Sequence, residues 1–173
     1  MKITDVEPIY LRLPSIRHEA DSGQDALIVR VHTDAGITGL GEVDSAPLAV
    51  AGVIGAPYSH AVTSGLREIV VGEDPFETEK IWEKMYRKNI YAGRRGIAIH
   101  AMGGIDMALW DIKGKALGMP VWKMLGGGFF KRVRAYASTL FGHTPDETRE
   151  RGQRMVDRGF TAVKFGWAPL GTD

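Results

Sequence analysis

Between Lys2 and Leu13 the apolar side chains Ile3, Val6, Ile9 and Leu11 recur among polar ones at spacings that suit an extended strand. Pro14 closes the run, as at the edge of a sheet. Ala26 to Thr33 sets Leu27, Val29 and Val31 on one face, Asp34-Ala35-Gly36 supplies a tight turn, and Ile37 to Val43 runs back. Together these predict an antiparallel meander of three strands. From Asp44 to Pro57 the residues are small and apolar with no clean period. That stretch is predicted to be a long mobile loop with room for a short helical turn.

The period then changes. Tyr58 to Val71 is predicted to be helical, and Asp74-Pro75-Phe76-Glu77 puts an N-cap, a proline and an acid in the order that opens a helix. Ile81, Trp82, Met85 and Tyr86 form its apolar face. Arg95 to Leu117 repeats Ile97, Ala101, Ile105, Ala108, Ile112 and Ala116, the three-or-four spacing of a buried helix stripe, which Gly118 and Pro120 end. After a short VWKML turn, Gly126-Gly127-Gly128 marks a boundary. Beyond it come a strand (Val133 to Thr139), a helix opened by Thr144-Pro145-Asp146-Glu147 and closed by Gly159, and a strand (Ala162 to Gly166). This is one β-α-β unit with parallel strands.

Composition narrows the function classes. The 22 basic and 21 acidic side chains nearly cancel among 173 residues, so no large field draws the chain to nucleic acid or to an anionic membrane. The absence of cysteine removes disulfides and thiolate metal sites. No apolar run approaches the roughly 18 residues that span a bilayer, and the first residues do not read as a secretory signal, so a cytoplasmic location is expected.

The string GIDMALWDIKGKALGMPVWKMLGG (Gly104 to Gly127), preceded by YAGRRG and followed by the start of a β-α-β unit, resembles the enolase superfamily, specifically its mandelate racemase and muconate-lactonising branch. The order of elements agrees over essentially the whole chain. The resemblance implies an α+β N-terminal capping domain (three-stranded antiparallel sheet plus helices, residues 1–125). The first β-α-β of a TIM-type (β/α) barrel follows (residues 126–173), with the chain stopping inside it.

Lys164 carries the chemistry that this resemblance implies. Residues two apart in a strand face the same way, so an inward Lys164 goes with an inward Gly166, while Val163 and Phe165 pack outward. Barrel enzymes react at the C-terminal ends of their strands. Many relatives carry Lys-x-Lys here, the first lysine beside the substrate carboxylate and the second removing the proton α to it. This chain reads Lys164-Phe165-Gly166, so the first lysine is kept and the second is lost. A lysine at a strand end can also simply extend into solvent along its apolar stem.

The resemblance further implies a Mg²⁺-dependent parent acting on a small carboxylate such as a sugar acid, and a homo-oligomer. Its three acidic metal ligands lie on later barrel strands, and none is assigned in this chain. The loops Ser15 to Gln24 and Asp44 to Pro57 are expected to face the substrate, with His18 and Arg17, beside Glu19, as candidate contacts. Ser138, with Thr139, is a candidate at the end of the first barrel strand. Asp106 and Asp111, five apart on a helix, read as structural carboxylates, and Arg94 and Arg95 as residues that secure the start of that helix.

With no base at position 166, dehydration is favoured, because it needs a base on one face only. Racemisation or epimerisation wants bases on both faces, and cycloisomerisation belongs to the same superfamily. The rival from another class is a non-catalytic module built on the capping domain, and a reading frame that continues beyond Asp173 would argue against it.

Overall fold

Leu27, Val29 and Val31 are fully buried and Thr33 nearly so, which makes one face of β2 (Asp25–Thr33) the floor of the core. β2 lies between β1 (Ile3–Arg12) and β3 (Thr38–Val43), antiparallel to both, in the expected meander. The register pairs Val29 with Gly41 and Val31 with Gly39, and an irregularity between Ile3 and Asp5 bends the start of β1. The computed structural model describes residues 1–16 and 23–166. It divides into two compact units, Met1–Gly127 and Gly128–Asp173.

In the first unit the helices are α1 (Pro47–Gly55), α2 (Leu66–Val70), α3 (Thr78–Lys88), α4 (Ile97–Leu117) and α5 (Val121–Met124). The long helix α4 buries Ala101, Met102, Ile105, Ala108, Leu109 and Ile112 against the sheet. It can come that close because β3 offers glycine at the contact. A side-chain carbon on Gly39 would overlap the Ala108 carbonyl oxygen, and one on Gly41 the Gly104 carbonyl oxygen. Gly104 is itself needed, since a Cβ there would stand 2.8 Å from Val43 Cγ2 and 2.9 Å from Val29 Cγ2. The helix ends where predicted: Gly118 is left-handed (φ 61°), and the Met119 amide donates to the Gly114 carbonyl at 2.9 Å.

One ion pair fastens α4 to the outer strand. Asp111 Oδ2 accepts from the Leu40 amide at 2.9 Å and from Lys115 Nζ at 2.7 Å, and Lys115 Nζ also donates to the Thr38 carbonyl at 2.7 Å. The structural role expected of Asp111 is thus a specific one.

Three expectations for the first unit are corrected. The stretch from Asp44 to Pro57 holds a nine-residue helix, α1, whose buried Pro47, Val50 and Ile54 follow helical spacing, with exposed Leu48 off the stripe. Tyr58 to Val71 is helical only from Leu66, because Gly65 passes over the end of α1 and its amide donates to the Ala56 carbonyl at 2.9 Å. Asp74 does not cap α3. Its carboxylate accepts from the Phe76 amide two residues on, closing a local turn, and the helix begins four residues later at Thr78.

The second unit contains β4 (Ala137–Leu140), α6 (Pro145–Asp157) and β5 (Val163–Gly166), with β4 and β5 parallel. Thr144 caps α6 by accepting from the Glu147 amide at 3.2 Å, and the Glu147 carboxylate accepts from the His143 amide at 2.8 Å. The strand predicted from Val133 forms only at Ala137. Val133 is 84% exposed, so it has no buried face to hold it in a sheet. Among the described residues no helix is long and apolar enough to cross a membrane.

Candidate active site

Parallel pairing sets Ser138 directly opposite Lys164, flanked by the pairs Ala137 with Val163 and Thr139 with Phe165. Opposite residues in a ladder share a face, and the faces alternate. Phe165 points to the helix side: its ring stacks on Phe141 at 5.5 Å and bears on Gly152 of α6. Lys164 and Ser138 therefore share the other face of the pair, and both are exposed. Lys164 Nζ lies 6.0 Å from the centre of the Tyr136 ring and makes no ion pair among the described residues. Such an ammonium has its full charge to give to an anion, and the Ser138 hydroxyl one strand away can donate or accept.

Two candidates, His18 and Arg17, lie outside the described residues, as does Glu19. Of the other charged candidates, Arg94 and Asp111 are occupied structurally. Arg94 Nε donates to the Tyr86 carbonyl at 3.1 Å while its guanidinium sits 4.8 Å over the Tyr86 ring, tying the chain ahead of α4 to α3. Asp106 is partly buried. Desolvation, with the Glu79 carboxylate second, raises its pKa above the usual carboxylate range, and the Lys113 ammonium offsets part of that rise.

Two residues were not singled out by the sequence. Tyr136, two positions before Ser138, carries the ring beside Lys164. Ala46, just before α1, has φ 49° and ψ 53°, and it is the sole non-glycine with positive φ among the described residues. An L-residue held there costs about 1–2 kcal/mol. Strain of that size at the start of α1 lies in the stretch expected to face the substrate. Alanine gives no sign of it in sequence.

No three His, Asp or Glu side chains of the described residues come together to hold a metal ion. Mg²⁺ requires a near-octahedral set of oxygens. The described residues do not fit it, and the chemistry open to them is that of Lys164 and Ser138.

A family model for the N-terminal domain of mandelate racemase / muconate lactonizing enzyme matches residues 6–126. The chain belongs to this family. Members of the enolase superfamily generally use Mg²⁺. D-galactonate dehydratase of Variovorax paradoxus is 37% identical over 141 residues, covering 80% of this chain and 34% of the relative. D-galactonate dehydratase of Xanthomonas oryzae pv. oryzae is 42% identical over 140 residues, with the same coverage of each. The chain thus spans about a third of the length of these curated relatives.

Among solved structures, a predicted mandelate racemase from Rhodobacter sphaeroides superposes with a TM-score of 0.82 at 38% identity, over 99% of this chain and 44% of that one. The 3,6-anhydro-D-galactonate cycloisomerase from Zobellia galactanivorans gives 0.76 at 29%, over 95% and 42%. The mandelate racemase / muconate lactonizing fold accounts for both units: the meander with its helices is the capping domain, and β4-α6-β5 opens the barrel.

Proposed function

We propose that the whole protein, at the length of its relatives, is a Mg²⁺-assisted dehydratase of a sugar acid. The observation that carries this reading is the face shared by Lys164 and Ser138, read together with the glycine at position 166. Removing the proton α to a carboxylate builds a dianionic enediolate. In the whole protein a divalent cation, held by residues other than those described, would supply charge to those oxygens. Lys164, exposed and without an ion pair among the described residues, supplies a fixed positive charge to the substrate carboxylate, and Ser138 hydrogen-bonds a neighbouring substrate oxygen.

Gly166 offers no second ammonium, so the base acts from one face and comes from another strand. Loss of the α-proton and departure of the β-hydroxyl as water leave an enol, which tautomerises to a 2-oxo-3-deoxy acid. The naming of relatives as D-galactonate dehydratases supports a sugar acid as the substrate class.

A second reading, isomerisation, is favoured by the likeness to a cycloisomerase. Proton NMR of the whole protein with D-galactonate in D₂O separates the two. Dehydration yields the 3-deoxy-2-oxo acid, whereas epimerisation places deuterium at the α-carbon with every hydroxyl retained. Appearance of the second product without the first overturns the proposal.

A further inference from the structure

Arg134 clamps the chain that enters β4 to the chain that enters β5: its Nε donates to Thr161 Oγ1 at 2.9 Å and its Nη2 to the Thr161 carbonyl at 2.7 Å. Further along, the Ala137 amide donates to the Ala162 carbonyl at 3.0 Å. The backbone of Tyr136 is therefore held from both sides. Its side chain adds nothing to the core. The residue is 55% exposed, and its hydroxyl makes no hydrogen bond among the described residues. The contact that the ring does make is with a cation. Lys164 Nζ lies 6.0 Å from its centre, at the outer limit at which an ammonium is attracted by an aromatic face.

Lys164 has little else beside it. It makes no ion pair among the described residues, and its register partner is the neutral Ser138. Gly166, two residues on along the same face, leaves that side open: a Cβ there would stand 4.0 Å from Lys164 Cε and, among the described residues, near nothing else. A lysine has a long flexible stem, and one free in solvent gives up that freedom when it pairs with an anion. A neighbour that already limits where the ammonium goes reduces this cost.

We propose that Tyr136 is a positioning residue for Lys164, its ring face holding the ammonium where the substrate carboxylate meets it. The ring, not the hydroxyl, is the working part. An acidic residue in its place would hold the ammonium more firmly, but it would compete with the substrate for the same charge. An aliphatic residue would leave the ammonium unheld. An aromatic face attracts a cation and leaves its charge available to an anion. What the ammonium meets rests on the dehydratase reading; the contact between ring and ammonium does not.

Two measurements test this, one on the chain of 173 residues and one on the whole protein. Protons held over an aromatic face resonate upfield. In the chain, the Lys164 Hε signals should therefore lie upfield of those of solvated lysines, stay there in Tyr136→Phe and move to the solvated position in Tyr136→Leu. In the whole protein with D-galactonate, Tyr136→Leu should lower kcat/KM by about fivefold, the upper end of what an exposed cation–π contact contributes. Tyr136→Phe, which keeps the ring, should recover most of that loss. In a Lys164→Ala background, Tyr136→Leu should cost nothing further, because the ring acts only through the ammonium. Lys164 signals insensitive to Tyr136→Leu, a loss in Tyr136→Phe as large as in Tyr136→Leu, or a full additional loss in the Lys164→Ala background would each overturn the proposal. A wild type that turns over no sugar acid would sink the dehydratase reading, and the Lys164 signals would still decide whether the ring holds the ammonium.

Discussion

Gly41 of β3 and Gly104 of α4 touch backbone to backbone, so that a side-chain carbon on Gly41 would overlap the Gly104 carbonyl oxygen. Neither neighbour can give way cheaply, because the obstacle is main chain in a helix that buries Ala101, Ile105, Ala108 and Ile112 in the core. Gly41→Ala should therefore destabilise the first unit by about 1–3 kcal/mol or more, the range for forcing atoms into a packed core. Urea unfolding checks this. A midpoint within error of the wild type would mean that α4 can lift off β3 freely.

Lys164 stands on an exposed face with Ser138 as its register partner. In the whole protein, Lys164→Ala should lower kcat by at least about 10²-fold, the scale of a lost charge stabiliser at an enolate, and should weaken substrate binding as well. Ser138→Ala should do less, as befits one neutral hydrogen bond. Steady-state kinetics on D-galactonate reads both effects. Near-normal turnover in Lys164→Ala would reduce the lysine to a solvated strand residue.

Two carboxylates make pH work in opposite directions. The hydrogen bond from Lys84, aided by Lys80, lowers the pKa of Glu73, whereas burial raises that of Asp106. A lowered carboxylate pKa contributes stability above the unfolded value that is lost as pH falls through the folded one. A raised carboxylate pKa is a penalty that is complete above the folded value and relieved as pH falls through it. Glu73→Gln should therefore lower Tm at pH 7, and Asp106→Asn should raise it. Both differences should shrink as the pH drops through the carboxylate range. Thermal melts at several pH values check the signs.

Hydrogen exchange should distinguish the two units. Leu27, Val29 and Val31 are sealed beneath α4, while among the described residues the second unit contributes only Ala137 to the buried apolar ones. Amides of Ala137–Leu140 and Val163–Gly166 should exchange much faster than those of Leu27–Val31. Equal protection would show that another surface covers the second unit.

Much of this architecture was legible because local signals agreed with one another. The alternation in β2, the stripe of α4 with glycine after it, and the Thr144-Pro145-Asp146-Glu147 sequence each state one structure and find it. Elsewhere the local signal was ambiguous. Exposed Leu48 and partly buried Val53 are apolar off the stripe and hide the helical spacing of Pro47, Val50 and Ile54 in α1. Asp74 next to Pro75 satisfies the rules of a helix start, yet a carboxylate that reaches back over its own turn satisfies the same rules.

At the site, the family resemblance drew attention to Lys164, and register pairing added what spacing alone could not, a partner on the neighbouring strand. Ala46 left no trace, because an alanine's backbone angle depends on what surrounds it.

The clasp formed by Asp111 and Lys115 has a consequence for the company the protein keeps. β3 is an outer strand, and an outer strand normally offers its free amides and carbonyls to any extended segment that drifts against it. Here the Leu40 amide is already taken by Asp111 and the Thr38 carbonyl by Lys115. A foreign strand would have to displace this ion pair from both positions before it could pair there. Helix α4 thus stoppers part of the rim of the sheet while packing on its face, which disfavours the addition of a further chain to β3.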